Sequence, residues 1–196
     1  MKPFSQASEN NRPFIEDILR RVFSKTTRIL EIGSGTGQHA VHFSSALPHL
    51  VWQTSDLAEN HEGINQWVQE CGGDNLYAPV TLDVTQSPWP VSSVDGIYTA
   101  NTAHIMPWQA VVALFSNLKT VLEAGGVMVM YGPFNYGGEF TSDSNRNFEQ
   151  WLKARAAHQG IRDIENIIAE AEKAGLSLIE DNEMPANNRL LVFKKL

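Results

Sequence analysis

RILEIGSGTGQHA, Arg28 to Ala40, decides how the rest of the chain is read. Arg28–Ile32 is a short apolar run around one acid, Glu31, the composition of a strand buried on both faces. Gly33, Gly35 and Gly37 follow at once, and from His39 the chain can wind into a helix that Pro48 closes. A strand, a glycine turn and a helix open a βαβ unit, and glycines there let the backbone turn tightly and approach a ligand. The dinucleotide fingerprint G-x-G-x-x-G wants its third glycine at position 38, which is Gln38. The phosphate loop of triphosphatases needs G-K-[S/T], and no lysine is near. Both phosphate-binding readings fail on spacing.

Outward from this stretch the pattern alternates. Upstream, Asn11–Phe23 carries one helical stripe (Phe14, Ile15, Ile18, Leu19, Val22, Phe23), with Pro13 read in the first turn, where a missing N–H costs little. Downstream, strands are predicted at 50–56, 76–83, 94–101 and 127–132, with a helix ending on Gly72–Gly73 between the first two. A long helix runs from Pro107 to Leu122, with Gly125 just past its end. After a polar, glycine-rich loop come two more helices, then strands at 176–184 and 189–196 around the turn PANN. Strands alternating with helices of this length imply a doubly wound, mostly parallel sheet of seven strands with helices on both faces. The last two strands have no helix between them, so they pair antiparallel at one edge and the last strand runs against the rest. The chain reads as a single domain, 1–196, in three parts: an N-terminal helical segment (1–26), a ligand-binding core (27–132), and a loop, helices and hairpin (133–196).

Ligands of open parallel sheets sit beyond the carboxyl ends of the strands. Polar and aromatic residues gather at those ends here. Strand two ends at Asp56, about 20 residues past the glycine loop, where an acid commonly grips ribose hydroxyls. Strand three ends at Asp83, strand four in ANTAHIMPW and strand five in YGPFNYGG. With Glu31 two residues before it, the loop G-x-G-x-G resembles that of class I S-adenosylmethionine-dependent methyltransferases, a Rossmann-like α/β fold. That ligand is a nucleoside with an amino-acid tail and no phosphate, so it needs close backbone contact and an acid for its ammonium group. The resemblance implies cofactor contacts from Glu31, Gly33, Ser34, Gly35, Thr36, Gly37 and Gln38. It adds Asp56, Asp83 and Val84 at the nucleoside end, with Asp83 on the adenine amino group, and Asn101 after strand four.

A narrower resemblance covers almost the whole chain. SENNRPFIEDIL (Ser8–Leu19), EIGSGTGQHAVHF (Glu31–Phe43), WQTSD (Trp52–Asp56), LDVT (Leu82–Thr85), NTAHI (Asn101–Ile105), YGPF (Tyr131–Phe134), SDSNRNFEQWL (Ser142–Leu152), GIRD (Gly160–Asp163) and MPANN (Met184–Asn188) carry it. They are similar to a small methyltransferase-like "domain of unknown function" family of bacteria and animals. Asn10 stands where that family usually has a basic residue. The resemblance implies the fold and S-adenosylmethionine as cofactor; it supplies no acceptor.

The candidate catalytic residues are His104 and Tyr131. A histidine ending strand four can take a proton from an attacking nucleophile, and Tyr131 and Asn135 follow strand five on the same side. Glu9 and Asn11 precede the first helix; Asn11 suits an N-cap, and the segment can also fold over the cofactor as a flap. His39 and His42 share a helix face without a carboxylate at ligand spacing, so packing is read and no metal is expected. Cys71, the one cysteine, reads as a half-buried small residue.

Bulk properties narrow the acceptor. The net charge is −7 over 196 residues, and the average field of such a chain repels phosphate. Neither nucleic acid nor a membrane is expected as a partner, and a small molecule is the expected substrate of a cytoplasmic protein whose oligomeric state stays open. The leading expectation is methyl transfer from S-adenosylmethionine. The competitors are a nicotinamide-dependent oxidoreductase, disfavoured by Gln38, and a non-catalytic module that keeps the cofactor pocket.

Overall fold

The computed structural model describes residues 2–196. Helix α1 (Gln6–Val22) leads to β1 (Arg28–Ile32), α2 (Gln38–Ala46), β2 (Val51–Asp56), α3 (His61–Cys71) and β3 (Leu76–Thr81). Then come β4 (Val94–Ala100), α4 (Trp108–Val121), β5 (Leu122–Gly132), the short β6 (Phe134–Asn135), α5 (Asp143–Arg155) and β7 (Arg162–Asp163). Helix α6 (Ile164–Lys173) precedes the closing hairpin of β8 (Leu176–Met184) and β9 (Asn188–Lys195). The main sheet has seven strands in the order β3-β2-β1-β4-β5-β9-β8. All its pairs from β3 to β5 are parallel, and β9 runs antiparallel between β5 and β8. The order reverses between β1 and β4, which opens a crevice at the carboxyl ends of those two strands.

Alternation along the strands divides the core in two. Leu30, Ile97, Met128, Met130, Leu191 and Phe193 face α4 and α6. Their neighbours Ile29, Tyr98, Val129, Leu190 and Val192, with Trp52, face α1 and α2. Trp52 is fully buried among Phe43 and Tyr98, where truncation to alanine costs about 3–5 kcal/mol. Among the described residues no helix is long and apolar enough to cross a membrane.

Local readings differ from the structure in a few places. Helix α1 begins at Gln6, capped by Ser5, whose hydroxyl accepts from the Ser8 N–H at 3.2 Å. Pro13 therefore lies inside the helix, not in its first turn, and Asn11 is not a cap. A proline there costs about 3 kcal/mol in an isolated helix; contacts to α2 hold the preceding turns. Strand β5 starts directly after α4 at Leu122, so Gly125, in a left-handed conformation at φ +75°, sits within the strand rather than after a helix. Strand β3 ends at Thr81, and Asp83 stands two residues beyond it. Cys71 is exposed, not half-buried.

Candidate functional site

The glycine loop leaves β1 along a path that needs glycine. Gly33, Gly35 and Gly37 all have left-handed backbones, at φ +72°, +57° and +87°. A Cβ on Gly33 would stand 2.6 Å from Thr102 Cγ2, so this glycine lets the loop close against the end of β4. A Cβ on Gly35 would meet nothing within 4 Å and would project into open space. Backbone bonds staple the loop to β2. The Gly33 and Ser34 N–H groups donate to Ser55 O at 3.1 and 3.0 Å, and the Gly35 N–H donates to Asp56 Oδ2 at 2.8 Å.

Beneath the loop Glu31 is 2% exposed. Its Oε2 accepts from Ser34 Oγ at 2.9 Å and from the Trp52 indole N–H at 3.1 Å, while Oε1 has no partner among the described residues. Burial pushes its carboxyl up to about 7; the two hydrogen bonds pull the other way, and the Asp56 carboxylate adds to the rise. At the next strand end, Asp56 accepts three bonds, from Gly35 N–H, Leu57 N–H at 2.8 Å and Asn60 Nδ2 at 2.7 Å. A carboxylate has about four acceptor positions, so most of Asp56 holds the loop. Asp83 receives both the Thr85 N–H and hydroxyl on Oδ1, at 2.9 and 2.7 Å, which keeps its carboxyl below the usual range.

These groups surround a cavity of about 590 Å³ at the carboxyl ends of the strands, within the size range of small-ligand sites. Glu31, Gly33, Ser34, Gly35 and Thr36 form one wall, and Asp56, Asp83, Val84 and Asn101 stand at the others. Leu57, Leu82, Ile105, Met106 and Ala110 supply apolar surface. Two residues from the glycine stretch stand elsewhere. Gly37 backs onto Ile64, 3.2 Å from where its Cβ would be. Gln38 is 2% exposed and ties the N-terminal segment down: its Oε1 accepts from Ser5 N–H at 2.6 Å and its Nε2 donates to Glu9 Oε1 at 2.7 Å.

His104 and Tyr131 do not line this cavity either. Tyr131 is 3% exposed, beside Asn11 and Asn188, and burial raises its hydroxyl above the ordinary range. His104 is 4% exposed. Burial, with the Arg162 guanidinium beside it, pushes its imidazole down to about 4.

Other wall residues were not assigned to the ligand from the sequence. Ser5 and Ser8 reach the cavity from the start of α1. His39 also lines it, held neutral by burial, which pushes it down to about 4. Its Nε2 donates to Asn11 Oδ1 at 2.7 Å, and its Nδ1 accepts from the Tyr98 hydroxyl at 3.0 Å. The pairing of SENN with GQHA was the available signal: both motifs are polar where helices are usually apolar, and each satisfies the other. His42 instead meets Glu16 Oε2 at 2.6 Å.

Strand order, a reversed final strand and a glycine loop facing a cavity at the switch point define the class I methyltransferase fold. Solved structures agree in fold. The mitomycin 7-O-methyltransferase MmcR superposes with a TM-score of 0.83 at 15% identity, over 97% of this chain and 54% of that one. PigF with S-adenosylhomocysteine gives 0.79 at 18%, over 93% and 55%. An O-methyltransferase family 2 protein from Planctomyces limnophilus, in complex with apigenin, gives 0.83 at 15%, over 97% and 58%. The chain spans little more than half the length of these proteins. Within the class it belongs to the family described as "Protein of unknown function (DUF938)", whose model matches residues 2–195.

Proposed function

We propose that the protein transfers a methyl group from S-adenosylmethionine to a small-molecule acceptor. The observation that carries this reading is the Gly35 cradle: a left-handed glycine whose missing side chain leaves space in the cavity wall, close to the buried Glu31. Glu31 Oε1 is an unpaired acceptor suited to an ammonium group, and a cation there favours the ionised carboxylate that burial disfavours. Asp83 Oδ2 and the last free position on Asp56 offer acceptors for nucleoside hydroxyls and amines. Leu82, Val84, Ile105 and Met106 offer a dry slot for a planar base. Ser5 and Ser8 close the wall nearest the start of α1, whereas Glu9 and Asn11, the residues read as a flap, are turned to Gln38 and His39. Bound S-adenosylmethionine would supply an activated methyl group; its transfer would leave S-adenosylhomocysteine, and the proton displaced from a hydroxyl or amine acceptor would pass to solvent. The protein's task is then to align the acceptor and keep water out.

Calorimetry with S-adenosylhomocysteine and with NAD, followed by a small-molecule screen with methyl-labelled S-adenosylmethionine, tests the reading. Saturable binding of the first and label transfer to a small molecule are expected. Preference for NAD turns the assignment toward an oxidoreductase, and binding without transfer across a broad panel turns it toward a non-catalytic module.

A further inference from the structure

We propose that residues 2–5 form a gate on the cavity, pivoting where α1 begins, which opens for the cofactor to enter and for its product to leave. This rests on the methyl-transfer reading above. The gate is not the stretch around Glu9 and Asn11, which is tied to α2. It is the irregular strap ahead of that stretch.

The strap crosses from α2 to α3 beside the cavity. Ser5 is the cap of α1, and its side of the cavity is the one built from a segment that precedes the whole sheet. The other walls continue from the ends of β1, β2, β3 and β4 or belong to α2. At one end of the strap the Ser5 N–H donates to Gln38 Oε1 at 2.6 Å. At the other, Pro3 lies on α3 at Gly63, where a Cβ would stand 2.6 Å from Pro3 Cγ and 3.7 Å from Pro3 Cβ. Glycine is a poor residue inside a helix, and here it leaves room for the strap. One turn further along α3, the Trp67 indole N–H donates to Pro3 O at 2.7 Å. Lys2 Nζ stands 3.6 Å over the Trp67 ring and pairs with Glu70. The residues just before α3 are Asp56, Leu57 and Asn60 of the cavity wall.

These contacts hold the strap shut without burying it. Residues 2–4 make no backbone-to-backbone hydrogen bond among the described residues. Phe4 is 61% exposed, and neither it nor Pro3 belongs to the core. A segment with few apolar contacts and a handful of polar ones opens at far lower cost than the whole fold. One neutral hydrogen bond is worth about three- to tenfold in an equilibrium, and an exposed ion pair is worth less. The open strap is therefore a minor state that ligand exchange can use. The glycine loop opposite cannot give in the same way, because its backbone is bonded to β2.

A reversible lock tests the gate. Pro3→Cys with Gly63→Cys puts two Cβ positions 3.7 Å apart, inside the range a disulfide spans. Cys71→Ser is the background, because Cys71 is exposed and its Sγ lies 3.9 Å from Lys2 Nζ. In stopped-flow measurements, oxidation should slow association of S-adenosylhomocysteine at least about tenfold, since it removes the open population, and reduction should restore it. Protein loaded first and oxidised afterwards should release the ligand slower by a similar factor. Trp67→Phe loosens the strap instead. It should raise association and dissociation rates together by about three- to tenfold, with Kd within about twofold, because free and bound protein lose the same contact. A fixed wall would change dissociation alone. The proposal is overturned if the oxidised protein exchanges ligand as the reduced protein does, or if Trp67→Phe leaves the association rate unchanged. Where thiol titration shows that the two cysteines stay reduced, Trp67→Phe decides. Hydrogen exchange reads the strap without ligand: the Ser5 amide should exchange at least about 100-fold faster than the Leu30 amide in β1, and equal protection of the two overturns the gate. Failure of S-adenosylhomocysteine to bind the wild-type protein overturns the methyl-transfer reading instead, and the exchange measurement then decides whether the strap opens.

Discussion

The glycine loop and the loop after β4 leave the sheet side by side and are held in opposite ways. In the glycine loop the polar groups of Gly33, Ser34 and Gly35 bond to β1 and β2. In the loop after β4, Gly160 and Arg162 hold the backbone, while Asn101 and His104 keep side-chain atoms without hydrogen-bond partners. The first arrangement presents a rigid backbone surface, suited to one ligand of fixed shape. The second presents side-chain chemistry on a fixed frame.

The largest effect expected from breaking this contrast is at Gly35. Gly35→Val places a branched side chain in the open cradle and strains a left-handed backbone, by about 1–3 kcal/mol for the strain alone. Affinity for S-adenosylhomocysteine should fall by at least about 100-fold by calorimetry, with a modest drop in melting temperature. Gly33→Ala is the control: its Cβ would clash with Thr102, so stability should suffer whether or not ligand is present. Undiminished affinity in Gly35→Val would remove the loop from the site.

Asp56→Ala comes next. Its carboxylate anchors Gly35 as well as facing the cavity, so the variant loses the loop's staple together with any ribose contact. The expected loss is about 2–3 kcal/mol of cofactor affinity, the scale of charge-assisted hydrogen bonds. If binding of methionine alone falls in parallel, Asp56 acts mainly through the loop; if methionine is spared, it acts on the nucleoside.

The acid beneath the loop gives a pH test. Glu31 is held near 7, above the ordinary carboxyl value. Its contribution to stability is therefore present below about pH 4.5 and lost as pH rises through 7, because the folded protein holds this proton more tightly than the unfolded chain. Cofactor binding has the opposite sign, since an ammonium group favours the carboxylate. Affinity for S-adenosylhomocysteine should rise about tenfold from pH 6 to pH 8 and level off above, with close to one proton released on binding at pH 6. A flat profile would mean that Glu31 does not meet the ammonium group, and Glu31→Gln should flatten the profile if it does.

The sequence carried more of the first loop than of the second. Strand positions, glycine spacing and the acids at 31, 56 and 83 depend on local pattern, which periodicity exposes. The contacts of Asn11 and Gln38 were hidden because each joins residues about 30 positions apart, and Pro13 misplaced the helix start by arguing for the usual first-turn proline. The clamp on the loop after β4 leaves no mark in the sequence, because Arg162 reaches Met106 and Ala103 across 56 and 59 positions.

His104→Ala is the smallest effect and the sharpest test of the contrast. Burial keeps this histidine neutral above about pH 5, and its proton affinity is that of a weak base. A side chain in that state accepts a hydrogen bond and orients a nucleophile; it does not readily hold the nucleophile's proton. General-base catalysis is commonly worth about 10²–10⁴-fold, whereas one neutral hydrogen bond is worth about three- to tenfold. With an acceptor found by the labelled-cofactor screen, His104→Ala should slow transfer by the smaller amount and leave S-adenosylhomocysteine affinity unchanged. His104→Asn, which restores an acceptor atom, should recover part of the rate. The wild-type rate should show no limb near pH 6.5 that depends on His104. The linkage to stability follows the same depressed value: the neutral ring favours folding above about pH 6.5, and that contribution is lost as pH falls through 4. A thousandfold loss, with such a limb, would make His104 a true base whose environment changes when acceptor binds. Loss of the cofactor would move His104 to the nucleoside side, and the two loops would then serve one ligand rather than two.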